Sequence, residues 1–453
     1  MKFCLTLAAT VLLGAISLEA HAQAQQPWLA DRKYGEGIGV RVGNLELHPG
    51  IAGEVGYDSN YFLRAPSEDP LSAYRLRITP SITLSTLGPQ RTQAAGGWRP
   101  SVTFRGGAFV SYNELIATDS KYKSEFADQR HLDVGSDLLL TILPTGRVGA
   151  DTYLNFIRQG QPSNNPDTQN AFDRDSLRVG AGVSWRPGGG LFDWRLGYEF
   201  LYNYFEKAAF SYLNNYQNQI NMRGRWRFLP RTALIYDGNY TWVAYPNPSS
   251  QNDGTIARSR IGMNGLITNQ LSLLAMVGWA GTFYNQGSNP KPQQFDSITA
   301  QAELKWYISG GTDAMNPGSA PVGLSFATIG YMRDVSNSYL GNFYQRDRGY
   351  VGLSYLLGGA FVTAVTAGIA NLAFPESYFP SGRVQQEAFS QQRLDASVFG
   401  EYRFSNTFGL NATVNYDRNF TDVAIPPSED PTAVPDALAY SRWQAFLGVR
   451  WFL

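Results

Sequence analysis

Cysteine is almost missing from this chain: in 453 residues there is one, Cys4. It lies in a segment that opens on the charge of Lys2, continues through apolar residues 3–16 and closes on the small-residue exit Ala20-His21-Ala22. That layout is a Sec-type signal peptide over residues 1–22, expected to be cut before Gln23. With Cys4 removed, the mature chain is expected to have no disulfide framework, no thiolate metal site and no lipoprotein cysteine, so other forces must hold the fold. Histidine is nearly as scarce. Of three, His21 leaves with the signal and His48 and His131 remain, which excludes a His/Cys metal cluster and leaves little for acid–base chemistry. No metal and no cofactor are expected, and the chain is not expected to be an enzyme.

Net charge is absent as well. Lys and Arg number 37 and Asp and Glu number 37, and the signal removes one of each, Lys2 and Glu19. Nothing in that balance draws the chain to nucleic acid or to an acidic surface. A phosphate loop is missing: residues 35–43, GEGIGVRVG, are glycine-rich but lack the required spacing and a following helix. Long apolar runs are missing too, and no mature stretch is suited to a transmembrane helix. The nearest, residues 356–370 (LLGGAFVTAVTAGIA), is split by Gly358-Gly359 and rich in Val and Thr, so it reads as two strands about a turn.

What the chain does have is alternation of period two. In residues 217–228, Ile220, Met222, Trp226 and Phe228 fall on one side, and Asn221, Arg223, Arg225 and Arg227 on the other. After the tight link at 229–232 the pattern resumes, with Leu234, Tyr236, Tyr240 and Trp242 opposing Asp237, Asn239 and Thr241. This is a hairpin with two unlike faces. A soluble core has no need of Trp and Tyr at both ends of an apolar face backed by three arginines. An apolar band edged by aromatics and backed by charge suits lipid outside and water inside.

Eighteen such segments follow one another, at residues 47–58, 72–86, 101–113, 130–142, 147–158, 175–186, 191–205, 217–228, 232–245, 258–268, 271–284, 295–308, 322–334, 345–356, 360–371, 393–404, 407–419 and 440–453. Their links alternate between tight turns and long polar loops, the wiring of an up-and-down barrel with turns in the periplasm and loops outside. Links 88–99 and 309–321 are longer than that pattern wants. The expected fold is therefore all-β: an integral outer-membrane antiparallel up-and-down β-barrel of about 18 strands, without a plug domain. Residues 23–44 form a short periplasmic lead-in, too small for a plug, and residues 45–453 the transmembrane barrel. An even strand count places both termini in the periplasm. The final segment, SRWQAFLGVRWFL, sets Trp443, Ala445, Leu447, Val449 and Trp451 on one face and resembles the C-terminal assembly signal of such barrels, with Phe452 where the closing aromatic is usual.

Turning each polar face inward gives a lumen lined by Arg75, Arg77, Arg105, Arg178, Arg186, Arg195, Arg223, Arg225, Arg227 and Arg442, with the acids Asp133, Asp137, Asp151, Glu199, Asp237, Glu303, Asp395, Glu401 and Asp417. A barrel of this size leaves an aqueous channel, so these charges are expected to be paired and solvated. The blander reading is that they wet and stiffen the wall; the sharper one is that the 223-225-227 ladder makes one wall basic and favours anionic solutes. Tyr153, Phe109, Tyr307 and Phe399 also fall on the inner face, where a ring could stack on a sugar or simply fill space. Gly180 lies there too, where a bulky replacement is expected to block the lumen. Asn411 is expected to tolerate arginine and Leu410 to reject it. The aromatic loop 372–392 is a candidate constriction or gate. His131 and Asp133 share a face near a strand's outer end, the place where outer-membrane hydrolases carry their chemistry.

Residues 47–62, LHPGIAGEVGYDSNYF, with Gly39-Val40-Arg41-Val42-Gly43 before them, resemble the opening of the β-barrel porin 2 family. The match is an apolar-Pro start, an alternating strand and a Tyr-Asp-x-Asn ending, here Tyr57, Asp58 and Asn60. Members of that family and its relatives are often outer-membrane barrels associated with exopolysaccharide or capsule production, and the family has no catalytic motif. The resemblance implies a pore and suggests a polymer: translocation of a secreted polysaccharide to the cell surface, with a periplasmic export partner at the turn side and outer-membrane lipid and lipopolysaccharide around the barrel. The alternative is a general or substrate-selective diffusion porin for small solutes, and a third reading is an outer-membrane hydrolase. Monomer and trimer are both compatible with the sequence.

Overall fold

A computed structural model of the chain describes residues 38–87, 101–161, 172–247, 251–285, 291–308 and 325–453, except 339, 380, 427, 428, 431, 433 and 434. The signal segment, the lead-in before Ile38 and the long turn-side links 88–99 and 309–321 lie outside the described residues.

The barrel strands are β1 Leu45–Asp58, β2 Ala73–Thr86, β3 Val102–Ala117, β4 His131–Ile142, β5 Val148–Gln161 and β6 Phe172–Trp185. They continue as β7 Phe192–Phe205, β8 Asn215–Leu229, β9 Thr232–Ala244, β10 Gly254–Leu266, β11 Leu271–Tyr284 and β12 Phe295–Tyr307. The last six are β13 Phe326–Asn337, β14 Phe343–Leu357, β15 Phe361–Phe374, β16 Phe389–Arg403, β17 Phe408–Phe420 and β18 Tyr440–Phe452. Each pairs antiparallel with its predecessor, and β18 pairs back onto β1, with Asp58 opposite Gln444 and Gly50 opposite Phe452. The sheet is a closed antiparallel barrel of eighteen strands, one for each alternating segment. Strands run from 12 to 16 residues, more than the roughly 9–11 that cross a hydrocarbon layer at barrel tilt. The surplus accounts for strands that outrun their sequence pattern at the loop end, as β3 does by continuing to Ala117, because ladder hydrogen bonds persist above the band where lipid demands apolar side chains.

The outer surface carries the apolar side of every strand. Ile51, Val55, Val179, Val277, Val351, Val414 and Leu447 are exposed along its middle. Rings edge this band: Tyr74, Tyr112, Tyr240, Trp242 and Trp443 toward the loops, and Trp185, Trp226, Phe228, Trp306 and Phe408 toward the turns. Closure removes every unpaired sheet edge, which is what lets strands stand in lipid at all. Buried apolar side chains gather at the loop-end rim instead of in one central core. Tyr61, Phe62, Leu71, Leu115 and Phe126 pack together beneath the first two loops, and Tyr284, Phe295, Val335 and Phe343 pack beneath later ones.

The end of the lead-in is more ordered than its polar composition implies. Val40–Val42 folds back through Gly43, whose φ of 62° an L side chain rarely adopts, and pairs with residues 45–47. β18 stops opposite Gly50, so this short strand covers the stretch of β1 that β18 leaves bare. His48 is buried beside it, with Nδ1 3.1 Å from the Leu453 carbonyl oxygen and Nε2 3.6 Å from Glu46.

Candidate functional site

Parity with the exposed apolar residues places all of the expected lumen charges on the inner face, and most of them meet an opposite charge. Arg223 lies 3.7 Å from Asp237, Arg225 3.3 Å from Asp193, Arg178 3.6 Å from Glu199, and Arg105 3.9 Å from Asp137. The 223-225-227 ladder is thus answered in part by carboxylates. Arg227 has none within reach among the described residues, while Asp193 also faces Arg186 at 3.7 Å, and Asp237 also faces Arg258 and Arg260 at 3.9 and 2.7 Å. Arg258, Arg260, Asp193, Asp334, Arg346, Arg348, Arg393, Arg403 and Arg450 are inner-face charges beyond those that the sequence pattern singled out.

Many of these contacts skip a strand, and glycine makes the skip possible. Arg195 on β7 reaches Asp151 on β5 at 2.9 Å by lying over Gly182 of β6, where an added Cβ would sit 2.5–2.8 Å from the guanidinium. Arg348 on β14 reaches Asp395 on β16 at 2.5 Å over Gly368 of β15 in the same way. Tyr153 of β5 donates to Glu199 of β7 across Gly180, and Tyr350 of β14 donates to Glu303 of β12 across Gly330, at 2.5 and 2.8 Å. Long side chains therefore lie along the wall instead of standing out into the lumen. Gly180 is accordingly no free lumen position, because a bulky residue there evicts Tyr153 before it narrows the channel. Gly182→Val is expected to displace Arg195 and cost about 1–3 kcal/mol through overpacking, read as a lowered urea midpoint in lipid vesicles. Gly349→Ala, at a position with nothing within 4 Å of the added carbon, should change it little.

Around the seam between the first and last strands the carboxylates are buried, which corrects the expectation that the lumen charges are solvated. Asp58 is 0% exposed and Arg442 3%; Arg442 Nε donates to Asp58 at 2.9 Å, Gln444 Nε2 donates at 2.8 Å, and Arg75 stands 3.5 Å away. Arg77 pairs with Glu54 at 3.1 Å and lies 3.8 Å over the Phe446 ring. Arg450 and Arg403 donate to opposite oxygens of Glu401 at 2.7 and 2.8 Å. Arg393 and Tyr440 both donate to Asp417, each at 3.0 Å. Asn411 lies in one row with Glu54, Gly448 and Glu401 and is 1% exposed. The expectation that Asn411 tolerates arginine is therefore withdrawn, since the site has no room for it.

The Tyr-Asp-x-Asn residues act at this same seam. Tyr57 packs on Trp443 with ring centroids 4.8 Å apart, Asp58 binds Arg442, and Asn60 Nδ2 donates to the carbonyls of Arg64 and Ser441. The motif clamps β1 to β18 where the first loop begins.

The inner-face rings divide into two groups. Phe399 is buried against Ala52, with Phe109 and Ala364 packed on the pair, so both rings fill space. Tyr153 and Tyr307 are half-buried. His131 Nε2 lies 3.5 Å from Asp133, whose carboxylate also accepts from Asn113 and the Gly160 amide at 2.8 and 3.1 Å. Among the described residues no three His, Cys, Asp or Glu side chains converge on a metal position. In the loop 372–392, Leu372 and Phe374 belong to β15, and Ser377–Tyr378 pairs with Val384–Gln386 in a small ribbon. Gln385 donates to the Pro426 carbonyl at 3.2 Å, and Lys291 Nζ sits 5.4 Å from the Tyr378 ring, so the ribbon is tied to neighbouring loops at the mouth.

No family model and no curated protein matches the chain. Among solved structures it is similar to the copper transporter OprC, at 11% identity over 92% of this chain and 81% of that one, with a TM-score of 0.42. It is also similar to the FrpB iron transporter from Neisseria meningitidis, at 8% identity over 89% and 81%, TM-score 0.43. The siderophore receptor PirA from Pseudomonas aeruginosa gives 10% identity over 90% and 80%, TM-score 0.41.

Proposed function

We propose that this chain is a plugless outer-membrane pore that passes a secreted polysaccharide to the cell surface. In this reading the turns and both ends of the barrel face the periplasm, where an export partner meets the turn side, and lipid and lipopolysaccharide surround the apolar band. The observation that carries the reading is the wall itself. Its charged and hydroxylated side chains are tied flat across glycines to partners two strands away, leaving a polar track of many weak contacts instead of one tight site. A hydrated polymer needs such a track in order to slide without being held. The resemblance of residues 47–62 to the β-barrel porin 2 family suggests the polymer, although its Tyr-Asp-x-Asn residues serve barrel closure here.

Deletion of the gene tests the reading, with surface and released polysaccharide measured while small-solute uptake is followed in parallel. Loss of surface glycan is expected, restored by the wild type and not by Thr366→Trp, which places a large ring at an inner-face position exposed to the lumen. Normal glycan with slowed uptake would replace the exporter by a small-solute porin.

A further inference from the structure

Two of the strand-skipping ties are the same arrangement built twice. In the first, Tyr153, Gly180 and Glu199 stand opposite one another in a single row across β5, β6 and β7. In the second, Tyr350, Gly330 and Glu303 form a single row across β14, β13 and β12, in the reverse strand order. An added Cβ on either glycine would meet the same three tyrosine atoms at nearly the same distances: Cζ at 2.3 Å and Oη at 2.5 Å in both, and Cε1 at 2.7 or 2.8 Å. In each, the tyrosine hydroxyl donates to Oε2 of the glutamate. In each, a cation then approaches Oε1 of that glutamate, Arg178 at 3.6 Å and Lys305 at 3.5 Å. β6 and β13 stand well apart around the ring, and both rows lie near the middle of the wall.

We infer that Tyr153 and Tyr350 are two matched stacking platforms for the ring face of a pyranose. A tyrosine whose hydroxyl end is laid on a glycine backbone has that side covered, and both tyrosines are only half-buried. The adjoining carboxylate and cation supply an acceptor and a donor beside the ring for sugar hydroxyls. Apolar C–H faces with equatorial hydroxyls at their edge match that chemistry, as a flat apolar body with a polar rim does on any aromatic surface. Among the other rings laid over inner-face glycines, Phe446, over Gly56, is 5% exposed and capped by Arg77, and Phe109, over Gly135, is half-buried against Phe399 and Ala52 and has no hydroxyl to tie it to a carboxylate. Arg348 Cζ stands 5.8 Å from the Tyr350 ring centroid, at the limit of a cation–π contact. Two platforms at similar height on separate sectors of the wall give a chain two alternative holds. The inference rests on the reading of the cargo as a glycan.

The test is equilibrium binding of a linear neutral glucose hexasaccharide to the purified full-length barrel in detergent, followed by NMR line broadening of the sugar. An acyclic hexitol, which has hydroxyls but no ring face, serves as the control. Wild type is expected to bind the hexasaccharide and not the hexitol. Tyr153→Leu and Tyr350→Leu should each weaken binding by roughly tenfold, the loss of one aromatic contact. Tyr153→Phe and Tyr350→Phe, which keep the ring and lose the hydroxyl, should stay within about twofold on the same scale. A purely structural tie removes this difference, with the Phe variants as impaired as the Leu variants, and that result would overturn the inference. So would equal affinity in the Leu variants, or no hexasaccharide binding by the wild type. Tyrosine-dependent binding in a protein whose deletion leaves surface glycan normal would keep the platforms and remove the export reading instead.

Discussion

Val414→Arg should leave most of the protein unassembled, while Thr366→Arg should assemble normally. Val414 is the central residue of β17 and faces outward, 48% exposed on the lipid side. An arginine at the membrane midplane of a barrel costs about 2–4 kcal/mol, and the penalty falls to roughly 0–1 near the interfaces. Leu410 also faces outward, but it lies close to the turn end of the strand, so Leu410→Arg should cost less than Val414→Arg. Thr366 provides the comparison. It lies near the middle of β15 on the inner face, exposed to the lumen and paired with Gly352 and Ser397, so an arginine there remains in water. The measurement is the fraction that migrates fast on a denaturing gel before boiling, together with the urea midpoint in lipid vesicles. Equal assembly of the Val414 and Thr366 variants would mean that the two faces have been assigned the wrong way round.

The strands were legible because lipid and water impose opposite demands on alternate residues, and Ile298, Ala300, Ala302 and Leu304 against Thr299, Gln301, Glu303 and Lys305 obey both. The inner faces followed by parity alone, which is why Glu303, Asp395 and Arg223 fall where the pattern put them. Parity fails where charges are consecutive. Arg346, Asp347 and Arg348 present both faces at once, and in the structure Asp347 lies on the outer parity, bonded to the Tyr331 hydroxyl at 2.6 Å, while Arg346 and Arg348 turn inward. Flanking glycines hide Arg258 and Arg260 in a similar way, since Gly262 and Gly265 suit either face. Partner choice was not legible at all. Tyr153 and Glu199 are 46 residues apart, and their meeting depends on the register of two successive ladders and on Gly180 between them. The burial of Asp58 and Arg442 is equally invisible along the chain, because residues from its two ends create it.

Arg442→Met should destabilise the closed barrel by about 3–5 kcal/mol, the usual result of removing one partner from a buried ion pair. Asp58 is fully buried and would keep Gln444 at 2.8 Å, the Asn60 amide at 3.3 Å and Arg75 at 3.5 Å, weak support for a carboxylate that has lost its closest guanidinium. The double variant Asp58→Asn/Arg442→Met removes both charges and should recover more than half of the loss, since neither partner is then left charged and buried. The pair's position makes the effect larger than its energy alone suggests. It joins β1 to β18, the ladder that closes the ring, and a barrel that fails there exposes two strand edges whose amides and carbonyls lipid cannot satisfy. Arg195→Met removes a pair within the wall, from β7 to β5 and far from the seam, and its side chain is more accessible. It should lower stability without trapping an open form. Unboiled gel mobility separates the two cases. The Arg442 variant should show a slow, unclosed species that Asp58→Asn diminishes, and the Arg195 variant should show only a lower melting temperature of the fast band. A fast band of unchanged heat resistance in Arg442→Met would mean that backbone pairing alone closes the barrel and that the seam charges contribute little.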